Sequence, residues 1–398
     1  MYCIGCEGKC VTLRAMRYYI IAGEASGHLH ARHLMEAMQR KDANAEICYW
    51  YRPDLAYMGI VPVALHLREI LRGIRECRED ISAFRPDCLV LVDYPGFNMK
   101  IASWFHLNFV AKAESEGRDR PRVVYYIPPK IWAWKEWRIK GLRKHVDMIL
   151  SILPFEVKWY EEKYSYHVDY VGNPTLDEIT SFRESLSEEE VERWKRSLRI
   201  ENEKIVALMP GSRRQEIERN LPMMLRAVRD EGEGYVFVIA SAPDVEEGLY
   251  RRIIADADDE SLSSRVILAP YAGSRSSFML LHCAGAAMVT SGTATLETAI
   301  MGVPQIVCYA MVFGKLMSWL RRLVLKVPYV SLVNLIAGRE VVPELIAGDM
   351  TQERLNLAMR QLLRDEGFRR SQQEGYECVM QWLGTPGAPV NAARMILE

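Results

Sequence analysis

Short apolar runs closed by glycine or another turn former alternate along this chain with longer stretches whose apolar positions recur every three or four residues. The first pattern predicts buried strands, the second predicts amphipathic helices, and their alternation predicts parallel sheets wrapped by helices. In the first half, 18–22, 88–92, 123–127 and 148–152 read as strands, with a helix over 29–40. In the second half, 205–209, 235–240, 265–268, 286–290 and 305–308 repeat the pattern. The fold class is therefore α/β, with two Rossmann-like domains. Gly172-Asn173-Pro174 and the charged stretch 177–203 predict a domain crossing followed by a solvated helix. That sets an N-terminal domain over 16–173, a C-terminal domain over 174–370 and a last segment over 371–398. Residues 1–15 read as an extension, because Met16 stands directly before the first strand-like run.

Length agrees with two domains, since 398 residues exceed one ordinary core of about 100–200 residues. With 51 basic and 52 acidic residues the net charge is -1, so no global field recruits nucleic acid or an anionic surface, and any such attraction has to be local. The nine cysteines are scattered and odd in number, which points to a reducing, cytoplasmic compartment rather than a disulfide framework. Cys3, Cys6 and Cys10 have the spacing of a metal knuckle but no fourth ligand nearby, so no metal is expected. No run reaches the roughly 18 uncharged apolar residues needed to span a bilayer.

Four strand-end turns carry candidate chemistry, and ligands of parallel α/β sheets bind at such ends. Gly23-Glu24-Ala25-Ser26-Gly27-His28 opens a helix and allows close backbone approach, but it is not a dinucleotide fingerprint. Asp93 closes an apolar strand before Tyr94-Pro95-Gly96-Phe97-Asn98, where a carboxylate can act as a base towards a sugar hydroxyl or simply cap the next helix. Gly211-Ser212-Arg213 and Ser291-Gly292-Thr293 offer backbone N–H groups, helix starts and a guanidinium to a diphosphate. Neither carries the lysine of an ATPase loop. Glu297, one turn further on, reads equally as a partner for ribose or sugar hydroxyls and as a charge matched to the helix start.

Two stretches, 55–75 and 311–330, mix aliphatic residues with arginine or lysine as a helix lying on a membrane would, and as an amphipathic helix packed on the sheet also would. In the first, Val61, Val63, Leu65, Arg68 and Arg72 are the candidate membrane contacts. The stretch 129–144 interleaves tryptophan with bases and suits a phosphorylated or lipidic substrate; no nucleic-acid module accompanies it.

Taken together, Gly23-Glu24-Ala25-Ser26-Gly27, Asp93 with Pro95, Phe97 and Asn98, Trp132-Ala133-Trp134, Leu153-Pro154-Phe155-Glu156, Pro210-Gly211-Ser212-Arg213, Ser291-Gly292-Thr293-Ala294 and the segment 329–340 resemble lipid-A-disaccharide synthases. The resemblance runs from about Met16 to the C-terminus. It implies a GT-B architecture, with parallel sheets facing an interdomain cleft and the last helix crossing back to the first domain. It also implies an inverting transfer that uses no metal or organic cofactor. By the resemblance a diacylated glucosamine would pass from UDP to the 6-hydroxyl of a diacylated glucosamine 1-phosphate at the cytoplasmic face of the inner membrane of a Gram-negative cell. By position Asp93 would be the base. Arg213, the 291–293 turn, Glu297, Asn334 and Glu340 fall in the segments that hold UDP in that family, and Gly23, Glu24, Ser26, Gly27, Asn98, Gly211, Ser212 and Arg339 complete the expected substrate-binding set.

His28 stands where the family usually has aspartate, Gly96 replaces a frequent second acid, and a glycine-rich segment after Trp50 is missing. A different GT-B enzyme of UDP-N-acetylglucosamine and a catalytically impaired nucleotide- or lipid-binding homologue stay open as alternatives, as does a homodimer.

Overall fold

The computed structural model describes residues 15–52, 66–229, 231, 234–257, 262, 264–290, 292–310 and 328–398. Its first sheet contains β1 (Arg17–Ala22), β2 (Glu46–Tyr51), β3 (Cys88–Val92), β4 (Arg122–Tyr126), β5 (Met148–Ser151) and β6 (Asp169–Tyr170), in the order β2-β1-β3-β4-β5-β6. The second contains β7 (Lys204–Met209), β8 (Tyr235–Ala240), β9 (Val266–Ala269), β10 (Ala284–Thr290), β11 (Gln305–Tyr309) and β12 (Glu344–Ile346), in the order β12-β11-β10-β7-β8-β9. Every pairing is parallel. Central strands such as β3 are buried along their whole length, as strands covered by helices on both faces must be.

Register decides where the chemistry falls. Ile21 lies beside Leu91, Val92 beside Tyr126 and Tyr126 beside Leu150, so β1, β3, β4 and β5 end level with one another. Asp93 then leaves the sheet at the same height as the turns after β1 and β4.

The domains meet through an apolar contact in which Trp132 and Leu153 of the first pack with Leu332, Leu335 and Ile336 of the second. Asn173 caps the helix Pro174–Ser185 by accepting from the Thr175 N–H at 3.0 Å, while its amide donates to the Ile152 carbonyl at 2.9 Å. The expected solvated helix over 177–203 is corrected here. Two helices replace it, and the first buries Leu176, Ile179 and Phe182 against the second domain; only Glu188–Ser197 has no buried residue.

The return to the first domain is shorter than the segment 371–398. Helix Glu366–Leu383 stays on the second domain, where Gln372 accepts from the Gln305 N–H at 2.8 Å and Tyr376 donates to the Val303 carbonyl at 3.1 Å. Helix Ala388–Leu397 then packs against Ala25–Lys41. Arg122 donates to the Ile396 carbonyl at 2.7 Å and Asn391 to the Val171 carbonyl at 3.1 Å, which fix that docking. Among the described residues no helix is long and apolar enough to cross a membrane.

Candidate active site

The end of β3 is bent sharply. Asp93 and Tyr94 both adopt left-handed backbone angles, with φ of 45° and 48°, a conformation that two consecutive non-glycine residues hold only when their surroundings impose it. Those surroundings are visible. The Asp93 N–H donates to the Tyr126 carbonyl at 3.1 Å, and the Asp93 carbonyl accepts from the Asn98 amide at 2.7 Å and the Tyr125 hydroxyl at 2.8 Å. Phe97 stacks on Tyr94 at 5.2 Å and locks the turn from below. The carboxylate thus stands on a rigid backbone with its side chain only partly covered. Burial raises its pKa above the ordinary aspartate range, while Lys130 and the Tyr94 N–H pull it back.

The turn after β1 lies alongside. Gly23 is required because a Cβ there would come within 2.3 Å of the Tyr94 ring, and a Cβ on Gly27 would lie 3.9 Å from that of Asp93. Burial and the neighbouring Asp93 raise the pKa of Glu24, opposed by Arg213 from the other domain and by Lys130. Ser26 is exposed at the helix start. Gly23 therefore serves packing, while Glu24 and Gly27 stand beside Asp93.

Under this floor, fully buried Glu156 accepts from the Trp132 indole at 2.6 Å and from the Ser151 hydroxyl. Burial pushes its carboxyl up to about 7, against the Ser151 and Trp132 hydrogen bonds and Lys130. The folded state therefore binds this proton more tightly than the unfolded chain, whose carboxyl titrates near 4.5. Stability tied to it is complete below that value and is lost as pH rises through about 7, by up to about 3 kcal/mol. Glu156→Gln is expected to melt about 5 °C higher than the unaltered chain at pH 8 and close to it at pH 5; parallel melting curves at both pH values would contradict this.

Across the cleft, the ends of β7, β8 and β10 enclose a cavity of about 340 Å³. It is lined by Gly211, Ser212, Arg213, Gly292, Thr293 and Glu297 together with Ser241, Tyr271 and Ser277. Fully buried Asn220 ties these strand ends together: its amide donates to the Pro210 carbonyl at 2.9 Å and Thr290 Oγ1 at 3.1 Å, and its carbonyl accepts from the Ala310 N–H at 2.8 Å. Burial and the neighbouring Glu178 push Glu297 up to about 7, so near neutrality its carboxyl can donate as well as accept a hydrogen bond.

The 211–213 turn differs from the expected anion seat. The Ser212 and Arg213 N–H groups, at 3.1 and 3.3 Å, donate to Glu216, which closes the start of helix Arg214–Arg229 as a capping residue. Gly211, at φ 127°, has to be glycine because a Cβ would meet Glu216 at 2.6 Å. Arg213, its side chain largely exposed, lies 3.5 Å from the Glu216 carboxylate, so a diphosphate would meet the guanidinium rather than these two N–H groups.

Two further expected site residues are buried in the fold. Asn98 is fully buried; its amide N–H groups go to the Val92 and Asp93 carbonyls and shape the Asp93 turn, while its Oδ1 has no hydrogen-bond partner among the described residues. Asn334 is also fully buried; it donates to the Val342 carbonyl and Glu344 and accepts from the Val341 and Val342 N–H groups, all within 3.0 Å. Its polar capacity is consumed within the segment that leads to β12. Arg339 and Glu340 are exposed after the helix Leu332–Ala337 and are not among the residues lining the cavity. Ser291, Val61, Val63 and Leu65 lie outside the described residues. Sequence reasoning missed Lys130, Glu216, Ser241, Tyr271 and Ser277; only Glu216 had a signal, its capping-box spacing from Arg213.

Comparison with known proteins agrees with this geometry. The family model of lipid-A-disaccharide synthetase matches residues 18–385. A lipid-A-disaccharide synthase of Syntrophus aciditrophicus is 34% identical over 401 residues, covering 95% of this chain and 96% of that protein. One from Nitrosococcus oceani is 34% identical over 389 residues, covering 92% of each. Among solved structures, UDP-GlcNAc 2-epimerase of Neisseria meningitidis bound to UDP-GlcNAc superposes with a TM-score of 0.61 at 12% identity, covering 96% of this chain and 98% of that one. A spinosyn rhamnosyltransferase superposes at 0.52 and 15% identity, covering 96% and 100%. These structures carry the fold alone, a GT-B pair of domains. The family match over residues 18–385 and the sequence relatives establish that the chain belongs to the lipid-A-disaccharide synthetase family of glycosyltransferases.

Proposed function

We propose that the chain transfers 2,3-diacylglucosamine from UDP to the 6-hydroxyl of 2,3-diacylglucosamine 1-phosphate, forming a β-1,6 disaccharide 1-phosphate and UDP. The observation that carries this reading is a part-covered carboxylate, Asp93, on a rigid turn beside Glu24, which also feels Arg213 from the cavity of the other domain. In one displacement the Asp93 carboxylate takes the proton of the acceptor hydroxyl, whose oxygen bonds to the sugar C1 as the C1–phosphate bond breaks and UDP leaves with the electron pair. Arg213 and the start of helix Thr293–Ile300 meet the charge that develops on UDP. Glu297 fits a ribose hydroxyl.

A groove of about 970 Å³ beside Asp93 supports the acylated substrates and the cytoplasmic membrane face. Leu71, Trp104, Leu107 and Trp137 line it, with Arg75, Arg78, Lys100, Lys135 and Arg138 at its edges. Leu107 and Trp137 are 61% and 69% exposed, Arg68 and Arg72 are exposed on the helix that carries Leu71 and Arg75, and Lys135 stacks 4.1 Å over Trp134. Apolar side chains rimmed by cations suit an anionic lipid surface.

The test is mass-spectrometric detection of the disaccharide 1-phosphate from the two acylated substrates on anionic vesicles, with and without EDTA. Product is expected in both. Absence of product with UDP binding intact would favour the impaired homologue, and product lost on chelation would overturn the metal-free chemistry.

A further inference from the structure

We infer that the groove beside Asp93 contains an anion subsite, in which Arg78 and Arg138 hold the phosphate of the acceptor sugar whose 6-hydroxyl meets Asp93. The inference rests on the proposed reading of the acceptor as a sugar 1-phosphate. The groove starts at the base. Its floor is one face of the helix Pro95–Phe105, which follows the Asp93–Tyr94 turn directly and packs against Leu67–Phe84 and Ile139–His145. Arg78 lines it from the first neighbour and Arg138 from the turn that leads into the second. Pro95 and Gly96 line the end next to Asp93 in the chain. In the acceptor only C5, the ring oxygen and C1 stand between C6 and the phosphate ester, so a 6-hydroxyl at Asp93 brings the phosphate close to it. The Asp93 carboxylate would repel that anion unless cations offset the charge.

The groove supplies cations and no acid. Arg75, Arg78, Lys100, Lys135 and Arg138 line it, and among the described residues no carboxylate does. Acids of its walls are engaged elsewhere: Glu76 accepts from Arg52 at 2.9 Å, and Glu136 pairs with Lys163 at 2.5 Å. Gly96 leaves the floor uncharged, and packing does not demand glycine there, because a Cβ would meet nothing within 4 Å. Arg78 and Arg138 differ from the other three cations in being half-buried. The Arg78 guanidinium lies 5.4 Å from the centre of the Trp104 ring and that of Arg138 5.9 Å from the centre of Trp137, so aromatic faces orient both. Neither has a carboxylate partner among the described residues. The Arg78 Nε is sealed from water without a hydrogen-bond acceptor, a cost that an anion's oxygen would remove. Two guanidinium forks suit the several oxygens of one phosphate.

Transfer in neutral detergent micelles, with the phosphorylated acceptor and with 2,3-diacylglucosamine that lacks the phosphate, tests this. Arg78→Gln and Arg138→Gln are each expected to raise KM for the phosphorylated acceptor about tenfold and to leave kcat within about twofold. Gly96→Asp, which puts an acid into the floor, should raise the same KM. With the unphosphorylated acceptor the arginine variants should match the unaltered chain, and UDP affinity and melting temperature should hold in all three. A loss equal for both acceptors overturns the inference, since the arginines would then only shape the groove. So does a loss seen on anionic vesicles but not in neutral micelles, which would place them on the membrane surface. Calorimetric titration of the phosphorylated acceptor in the same micelles separates the failures. If the unaltered chain makes no product yet binds this acceptor about tenfold more tightly than the variants, the transfer reading falls and the subsite stands. If product forms and the variants change neither KM nor acceptor binding, only the subsite falls.

Discussion

Asp93→Asn is expected to fold, melt no lower than the unaltered chain and bind UDP, yet to transfer about a thousandfold more slowly. The substitution is nearly isosteric, and asparagine tolerates the left-handed angle of 45° as well as aspartate does, so the turn keeps its shape. Its backbone partners, the Tyr126 and Tyr125 groups and the Asn98 amide, do not involve the carboxylate. Only the proton acceptor is removed. Because burial raises the Asp93 pKa, the acid limb of transfer in the unaltered chain should lie above the ordinary aspartate range, and the residual rate of the variant should lack that limb. Turnover near the unaltered rate would remove Asp93 as base and leave the β3 turn a structural feature.

The long buried strands were legible because each is an apolar run with no competing period: β3, β7, β8 and β10 stand close to where the pattern put them. β6 and β12, with two and three residues, are too short to leave a pattern, and β2 is an edge strand only partly buried. The site was less legible, and the errors share one cause. Asn98 and Asn334 sit in the motifs that match the family, but an asparagine that clasps backbone and one that holds a ligand look alike in sequence. Their partners, the Val92 and Asp93 carbonyls and the Val341 and Val342 N–H groups, exist only once the turns have closed.

Arg213→Ala is expected to lower kcat/KM about a hundredfold and to weaken UDP binding, without lowering the melting temperature. Arg213 is 62% exposed, so truncation leaves no buried gap. Its functional weight follows from Glu216. Had the 211–213 turn kept its N–H groups open, a diphosphate could be held by backbone alone, and removing one guanidinium would cost little. The Ser212 and Arg213 N–H groups are instead given to the chain's own carboxylate, which also places a negative charge beside the seat. The guanidinium both offsets that charge and presents paired N–H donors to phosphate. Arg213→Lys should keep the charge but lose the fork, recovering part of the affinity and less of the rate. Calorimetry with UDP beside steady-state transfer decides the matter. If the alanine variant stays within about twofold in both, the leaving diphosphate is held elsewhere, and the start of helix Thr293–Ile300 becomes the principal anion seat.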